Sequence, residues 1–251
     1  MNLFAPPPPT RYDLRFTVFR VPVRIHPLFW IAAVLFGGIA GNLLFLLVWV
    51  VAVFVSILVH ELGHALTMRR FGMDAQVVLY VLGGVTVPQA VPWGGRWAYV
   101  PFSPLQEAAV SFAGPAVGFL LAGLVTAGVA AAGGTVVLTA LYGIVPMPAA
   151  ILPFGGVLQS LVSILLWINV LWGLVNLMPV YPLDGGNIIR RLLIKVDPLD
   201  GARKAHWIAI AAGGLLALAG FFLFRSIYLA VLFGYLAYLN YQTLHGGYGE
   251  L

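Results

Sequence analysis

The chain has 251 residues, 61% of them hydrophobic and only 8% charged, against about 25% charged in an ordinary soluble domain. Its mean hydropathy of +0.99 fits one polytopic membrane domain and leaves no room for a soluble domain of ordinary size beside it. The absence of cysteine excludes disulfides and thiolate metal sites, and the net charge of +5 is divided among short clusters between apolar runs, which read as topology signals rather than as a nucleic-acid patch.

Residues 1–26 form a proline-rich, basic N-terminal segment. Pro6 to Pro9 predict an extended tail, and the basic-then-apolar pattern of a cleavable signal peptide is missing. Tyr12 to Ile25 alternates Arg15, Arg20 and Arg24 with Phe16, Val18, Val21 and Val23, which predicts a strand or an interfacial segment. No Asp, Glu, Lys or Arg occurs from Pro27 to Val59. That run predicts a first span over Pro27 to Ala40, a break at Gly41-Asn42, and a long helix from Leu43 to about Arg70. Two β-rich runs around Gly83-Gly84 then predict a hairpin, and Pro88, Pro92 and Gly94-Gly95 argue against helix there. Leu105 to Ala132 reads as the third span, Gly133 to Pro153 as a loop region with room for a short helix, and Phe154 to Met178 as the fourth span. A broken stretch from Pro179 to Gly186 follows, then spans five and six over Ala205 to Phe224 and Ile227 to Leu244.

The expected fold is therefore an all-α polytopic membrane protein of six transmembrane helices with a small membrane-associated β-hairpin. Its membrane domain covers 27–244 and a short tail 245–251. With six spans, Arg11, Arg15, Arg20, Arg24, Arg69, Arg70, Arg190, Arg191, Lys195, Arg203 and Lys204 fall on one side and Arg225 on the other. The positive-inside rule makes the first side the cytoplasm, with both termini there, and a bacterial inner membrane is the expected location.

Chemistry concentrates at His60-Glu61-Leu62-Gly63-His64. At 3.6 residues per turn the two histidines stand about 40° apart on one helix face, so both imidazoles can hold one ion. Glu61, beside the first of them, can act as general base toward a water that the ion activates; Zn2+ suits this because it acidifies water and polarises a carbonyl. The motif follows seventeen residues, Leu43 to Val59, without an ionisable group, and unpaired polar groups are costly at membrane depth. A catalytic zinc generally takes three protein ligands, so a third ligand is required. Glu107 opens span three, and His26, His206 and His245 lie near span ends. Asp184 stands apart, in a stretch broken by Pro179 and Pro182 and followed by Gly185-Gly186, the kind of irregular backbone tolerated at membrane depth only where protein or a polar cavity surrounds it. Capping of the segment Asn187 to Ile194 is a second reading of Asp184, compatible with the first.

His60 to His64, followed by Asn176-Leu177-Met178-Pro179-Val180-Tyr181-Pro182-Leu183-Asp184-Gly185, resembles the paired HExxH and NxxPxxxLDG motifs of the site-2 proteases, intramembrane zinc metalloproteases. Ser111-Phe112-Ala113-Gly114-Pro115 also resembles that family's Gly-Pro element. The resemblance implies His60, His64 and Asp184 as Zn2+ ligands and Glu61 as the base. It implies Asn176 as a donor to the substrate backbone or the developing oxyanion, and Asn169 as either a group at the site or packing glue. Val77 to Val87 resembles the family's membrane-dipping β element, so Gly83, Gly84 and Val85 would meet an unwound substrate. The implied partners are a membrane-protein substrate, cut within or near a transmembrane segment, and the lipid bilayer. Neither a PDZ nor a CBS domain fits in the chain, so selection and timing of the cut would fall to the membrane core or to separate regulatory proteins. Two alternatives stay open. A peptidase trimming prenylated C-termini would take a glutamate as third ligand, with only Glu107 and Glu250 available. A non-enzymatic metal-binding scaffold or transporter would leave Glu61 surplus.

Overall fold

The computed structural model describes residues 6–37, 42–93, 96–99, 101–141 and 145–245. Gly41, Gly94 and Gly95, the last residues of the expected first span and the tail 246–251 lie outside them. The chain falls into two compact units, Met1–Pro101 with Ala113–Gly173, and Phe102–Phe112 with Leu174–Leu251.

The first unit opens with strands β1 (Leu14–Val18) and β2 (Val21–Ile25), followed by helices α1 (Pro27–Gly37) and α2 (Leu43–Arg70). Strands β3 (Ala75–Tyr80) and β4 (Gly83–Pro88) come next, then the short pair β5 (Val91–Trp93) and β6 (Arg96–Ala98). Most of α3 (Pro104–Ala131), the strands β7 (Thr135–Leu141) and β8 (Val145–Ile151), and most of α4 (Gly156–Asn176) complete it.

The sheet has the order β1-β2-β3-β4. β2 and β3 run parallel, Val23 opposite Val77, with α1 and α2 as the crossover; the other two pairings are antiparallel. Period-two alternation puts Val21, Val23, Ile25, Ala75, Val77 and Leu79 on one buried face, against Phe29 and the α2 residues Ile57, Leu62 and Ala65. That packing holds β3 and β4 beside the last turns of α2. The β1–β2 hairpin fulfils the strand reading of Tyr12 to Ile25. Arg24, however, is buried and paired with Asp13 at 3.1 Å. Burial opposes ionisation of Asp13, but hydrogen bonds from Thr10 and Arg24 outweigh it and hold the carboxyl at about 2. This clip therefore contributes stability above the ordinary carboxylate range and loses it as pH falls toward about 2.

Helix starts follow local chemistry. Pro27 opens α1 behind His26, whose Nδ1 accepts from Leu28 N at 3.2 Å. The Asn42 side chain accepts from Leu44 N at 2.8 Å to begin α2. Ser103 and Gln106 form a reciprocal capping box ahead of α3.

The second unit contains the start of α3 and the helices α5 (Asp184–Val196), α6 (Gly201–Phe222) and α7 (Ile227–His245). α6 and α7 approach closely: a Cβ on Gly213 would stand 3.1 Å from Ala237 Cβ, and one on Gly220 only 2.9 Å from Ala230 N. At the head of α3, Glu107 pairs with Arg191 of α5 at 2.7 Å.

Two expectations change and one is met in part. Among the described residues four helices, α2, α3, α4 and α6, are long and apolar enough to cross a membrane, of the six spans expected. The 11 described residues of α1 rise only about 16 Å, and α7 carries Asn240, Gln242 and four tyrosines along its 19 residues. All-α with one hairpin is also too narrow, because the described residues hold eight strands beside the seven helices. Finally, Gly133 to Pro153 is mainly a β-hairpin rather than a loop, Thr135 opposite Ile151.

Candidate metal centre

The first unit brings His60, Glu61 and His64 together on α2, where the three side chains are buried at 4, 6 and 8% exposure. The two imidazole Nε2 atoms lie 3.2 Å apart. Two nitrogens at 2.0–2.1 Å from a tetrahedral ion stand about 3.3–3.4 Å apart, so this pair fits one zinc without rearrangement. Backbone of α3 covers them. A Cβ at Gly114 would sit 2.3 Å from His64 Nε2 and 2.8 Å from His60 Nε2, so the missing side chain is space in front of both donors. Gly63, inside the HExxH turn, lets the helices meet: a Cβ there would lie 2.6 Å from Ala113 O.

Glu61 is held from the sheet. Thr86 Oγ1 on β4 contacts Glu61 Oε2 at 2.7 Å and Glu61 O at 3.0 Å. A Cβ at Gly84 would stand 2.5 Å from Glu61 Cγ, so glycine there lets the strand lie along the carboxylate. Burial first, and then the negative charge of Glu61, pushes the Tyr80 phenol above its ordinary value, keeping it neutral.

The hairpin turn is at Val81-Leu82, not at Gly83-Gly84, since Tyr80 pairs with Gly83 and Leu79 with Gly84. Across a two-residue turn the flanking pair exchanges both hydrogen bonds. Gly83 and Val85 therefore turn their backbone groups toward β3, while Gly84 and Thr86 turn theirs to the other side. β4 ends the sheet among the described residues, so that other side is an open strand edge running past Glu61.

Asn169 lies one turn from the metal pair. Its Nδ2 donates to Ser56 Oγ at 2.9 Å and to Leu165 O at 2.8 Å, and Ser56 precedes His60 by four residues on α2. Its carbonyl side faces α3, where a Cβ at Gly118 would be 3.5 Å from Oδ1. The amide nitrogen is thus committed to tying α4 to α2.

In the second unit, Asn176 ends α4 and Asp184 opens α5, where a carboxylate is favoured by the helix dipole. Gly185 and Gly186 let this first turn press on the broken segment: Cβ atoms there would stand 2.1 Å from Leu177 O and 2.3 Å from Tyr181 N. Asn187 Nδ2 donates to Pro182 O at 3.0 Å. Asn240 on α7 donates to Tyr181 O at 2.6 Å, and His206 on α6 contacts Asn240 Oδ1 at 2.7 Å. Sequence reading missed Thr86, Ser56 and Asn240, which emerge only from strand register and helix packing; Gly114 had its signal in the Gly-Pro element.

The family model of peptidase family M50 matches residues 48–220, a stretch that includes His60, Glu61, His64, Asn176 and Asp184. The chain belongs to peptidase family M50. Zinc metalloprotease MJ0392 of Methanocaldococcus jannaschii is 30% identical over 211 residues, 82% of this chain and 52% of that protein. The chain thus spans about half the length of the curated relatives it matches. The solved structure of the site-2 protease from Methanocaldococcus jannaschii aligns over 96% of this chain and 99% of that one, with a TM-score of 0.53 and 24% identity, so the M50 chain shares its fold. The resemblance drawn from the two motifs holds at the level of the family.

Proposed function

We propose that this M50 chain is a zinc metalloendopeptidase that hydrolyses peptide bonds within or near transmembrane segments of membrane proteins, in regulated intramembrane proteolysis. The observation that carries the reading is the buried pair of Nε2 atoms 3.2 Å apart, with Glu61 alongside, under the open edge of β4. Two imidazoles plus the Asp184 carboxylate make a donor set that suits Zn2+, and the relatives are named as zinc metalloproteases. Bound there, Zn2+ would supply Lewis acidity to water and to the scissile carbonyl.

The chain's own residues supply the rest. Glu61 takes the proton of the attacking water and delivers it to the leaving amine. The Thr86 hydroxyl keeps the Glu61 carboxylate in one rotamer. An unwound substrate adds as a strand beside Gly84 and Thr86, which satisfies the peptide groups freed when a transmembrane helix opens. Asn176 steadies the developing oxyanion, and Asn169 holds the helix carrying it against α2. In the bilayer, α1 and α7 would bring the membrane helices to six, with both termini cytoplasmic in a bacterial inner membrane.

The test is cleavage of tagged single-pass membrane peptides by the purified chain in detergent micelles. Phenanthroline treatment is expected to stop cleavage and stoichiometric Zn2+ to restore it; cleavage that survives complete removal of metal overturns the reading. Thr86→Val removes a hydrogen bond to a charged group, worth about 1.5–3 kcal/mol. It should lower kcat roughly 10- to 100-fold with zinc content unchanged, while Thr86→Ser retains most activity. A kcat for Thr86→Val equal to the parent's would show that Glu61 needs no such support.

A further inference from the structure

The segment between α4 and α5 has little regular secondary structure to hold it. Its own backbone bonds are few, Val180 N to Met178 O at 2.7 Å and Leu183 N to Val180 O at 2.8 Å among them, yet it must present Asp184 in one place. The support comes from two distant helices. Asn240, 1% exposed near the end of α7, directs its Nδ2 to Tyr181 O at 2.6 Å and to Leu236 O at 2.8 Å. Two carbonyl acceptors fix the orientation of that amide, so Oδ1 must be the atom facing His206. His206, 3% exposed on α6, reaches Oδ1 with Nδ1 at 2.7 Å. An amide oxygen only accepts, so His206 carries its proton on Nδ1 and donates. Its ring also meets the Tyr181 ring edge-on, centroids 5.6 Å apart.

We propose that His206 and Asn240 form a clamp on the Tyr181 carbonyl that positions Asp184 as a metal ligand. The inference rests on the reading of Asp184 as third ligand given above. A polar network this deeply buried is costly unless every member is satisfied; here the bond from Asn240 Nδ2 reaches the backbone three residues before the carboxylate, and the contact with His206 Nδ1 orients that amide. Groups that orient a ligand in this way are worth about 10–100-fold in metal affinity. Both clamp residues are positioning residues, since neither is among the proposed ligands His60, His64 and Asp184.

Zinc affinity, measured by competition with a chromophoric chelator on the full chain in detergent, tests the clamp. Asp184→Asn should weaken Zn2+ binding strongly. Asn240→Leu should weaken it by about 10–100-fold, and the double variant should bind no more weakly than Asp184→Asn alone, because the clamp acts only through that carboxylate. His206→Phe keeps the ring contact and loses the donor, so it should fall with Asn240→Leu; His206→Asn, which keeps a donor near the Nδ1 position, should recover most of the affinity. This histidine pair carries the test if Asn240→Leu does not fold. Unchanged affinity in Asp184→Asn would sink the ligand reading and the clamp with it. Weakened binding in Asp184→Asn, with unchanged affinity in Asn240→Leu and His206→Phe or with losses that add to that of Asp184→Asn, would sink the clamp alone.

Discussion

Replacing Glu61 with Gln is expected to lower kcat for peptide-bond cleavage by about 10²–10⁴-fold, the range that a positioned general base contributes, while one Zn2+ per chain remains bound. The substitution keeps the side chain's shape, and the amide oxygen can still accept from Thr86 Oγ1, which contacts Glu61 Oε2 at 2.7 Å. What is lost is basicity alone. Because His60 and His64 hold their spacing through the helix, not through Glu61, metal content and KM should stay within a few-fold of the parent. Zinc quantification and a full kinetic curve on one preparation separate the outcomes. Parallel loss of metal would make Glu61 a structural support of the centre, and undiminished kcat would assign the base elsewhere.

Legibility in the sequence followed the range of the interaction. The α2 boundary, expected at Leu43 and about Arg70, is found at Leu43–Arg70, because an uncharged run, an Asn cap and two terminal arginines are all local signals. The imidazole pair was equally legible, since helical period alone aligns residues four apart. The sheet was not. β2 pairs with β3 across α1 and α2, a separation that no local pattern encodes. The turn was misplaced because Gly83 looks like a turn residue, and its φ of +116° does require glycine, yet it sits at the first position of β4. Pro146 and Pro148 disguised β8, although a two-stranded hairpin leaves each strand one free side on which a proline's missing N–H costs nothing. Thr86, 25 residues from its carboxylate partner, became visible only once the register was known. The Asn240 contact, 59 residues from Tyr181, needed the packing of α7.

Gly114→Ala should remove most zinc binding, an effect out of proportion to one methyl group. The added carbon would stand 2.3 Å from His64 Nε2 and 2.5 Å from His64 Cε1, where unbonded carbon and ring atoms need about 3.5 Å. The missing ångström must come from rotating His64 away from His60 or from moving α3. Moving α3 is resisted at Gly63, where the backbone of Ala113 already leaves no room for a Cβ. The imidazole therefore yields, and a displacement of about 1 Å at a reacting centre costs roughly 10²-fold in rate. Bound metal should become substoichiometric and cleavage fall by at least that factor. Gly123→Ala serves as the control on the same helix: nothing lies within 4 Å of its Cβ, and alanine favours the helix by about 0.8–1.0 kcal/mol, so metal content and activity should match the parent. Full zinc occupancy and activity in Gly114→Ala would mean that the ion does not sit between those two rings and the α3 backbone.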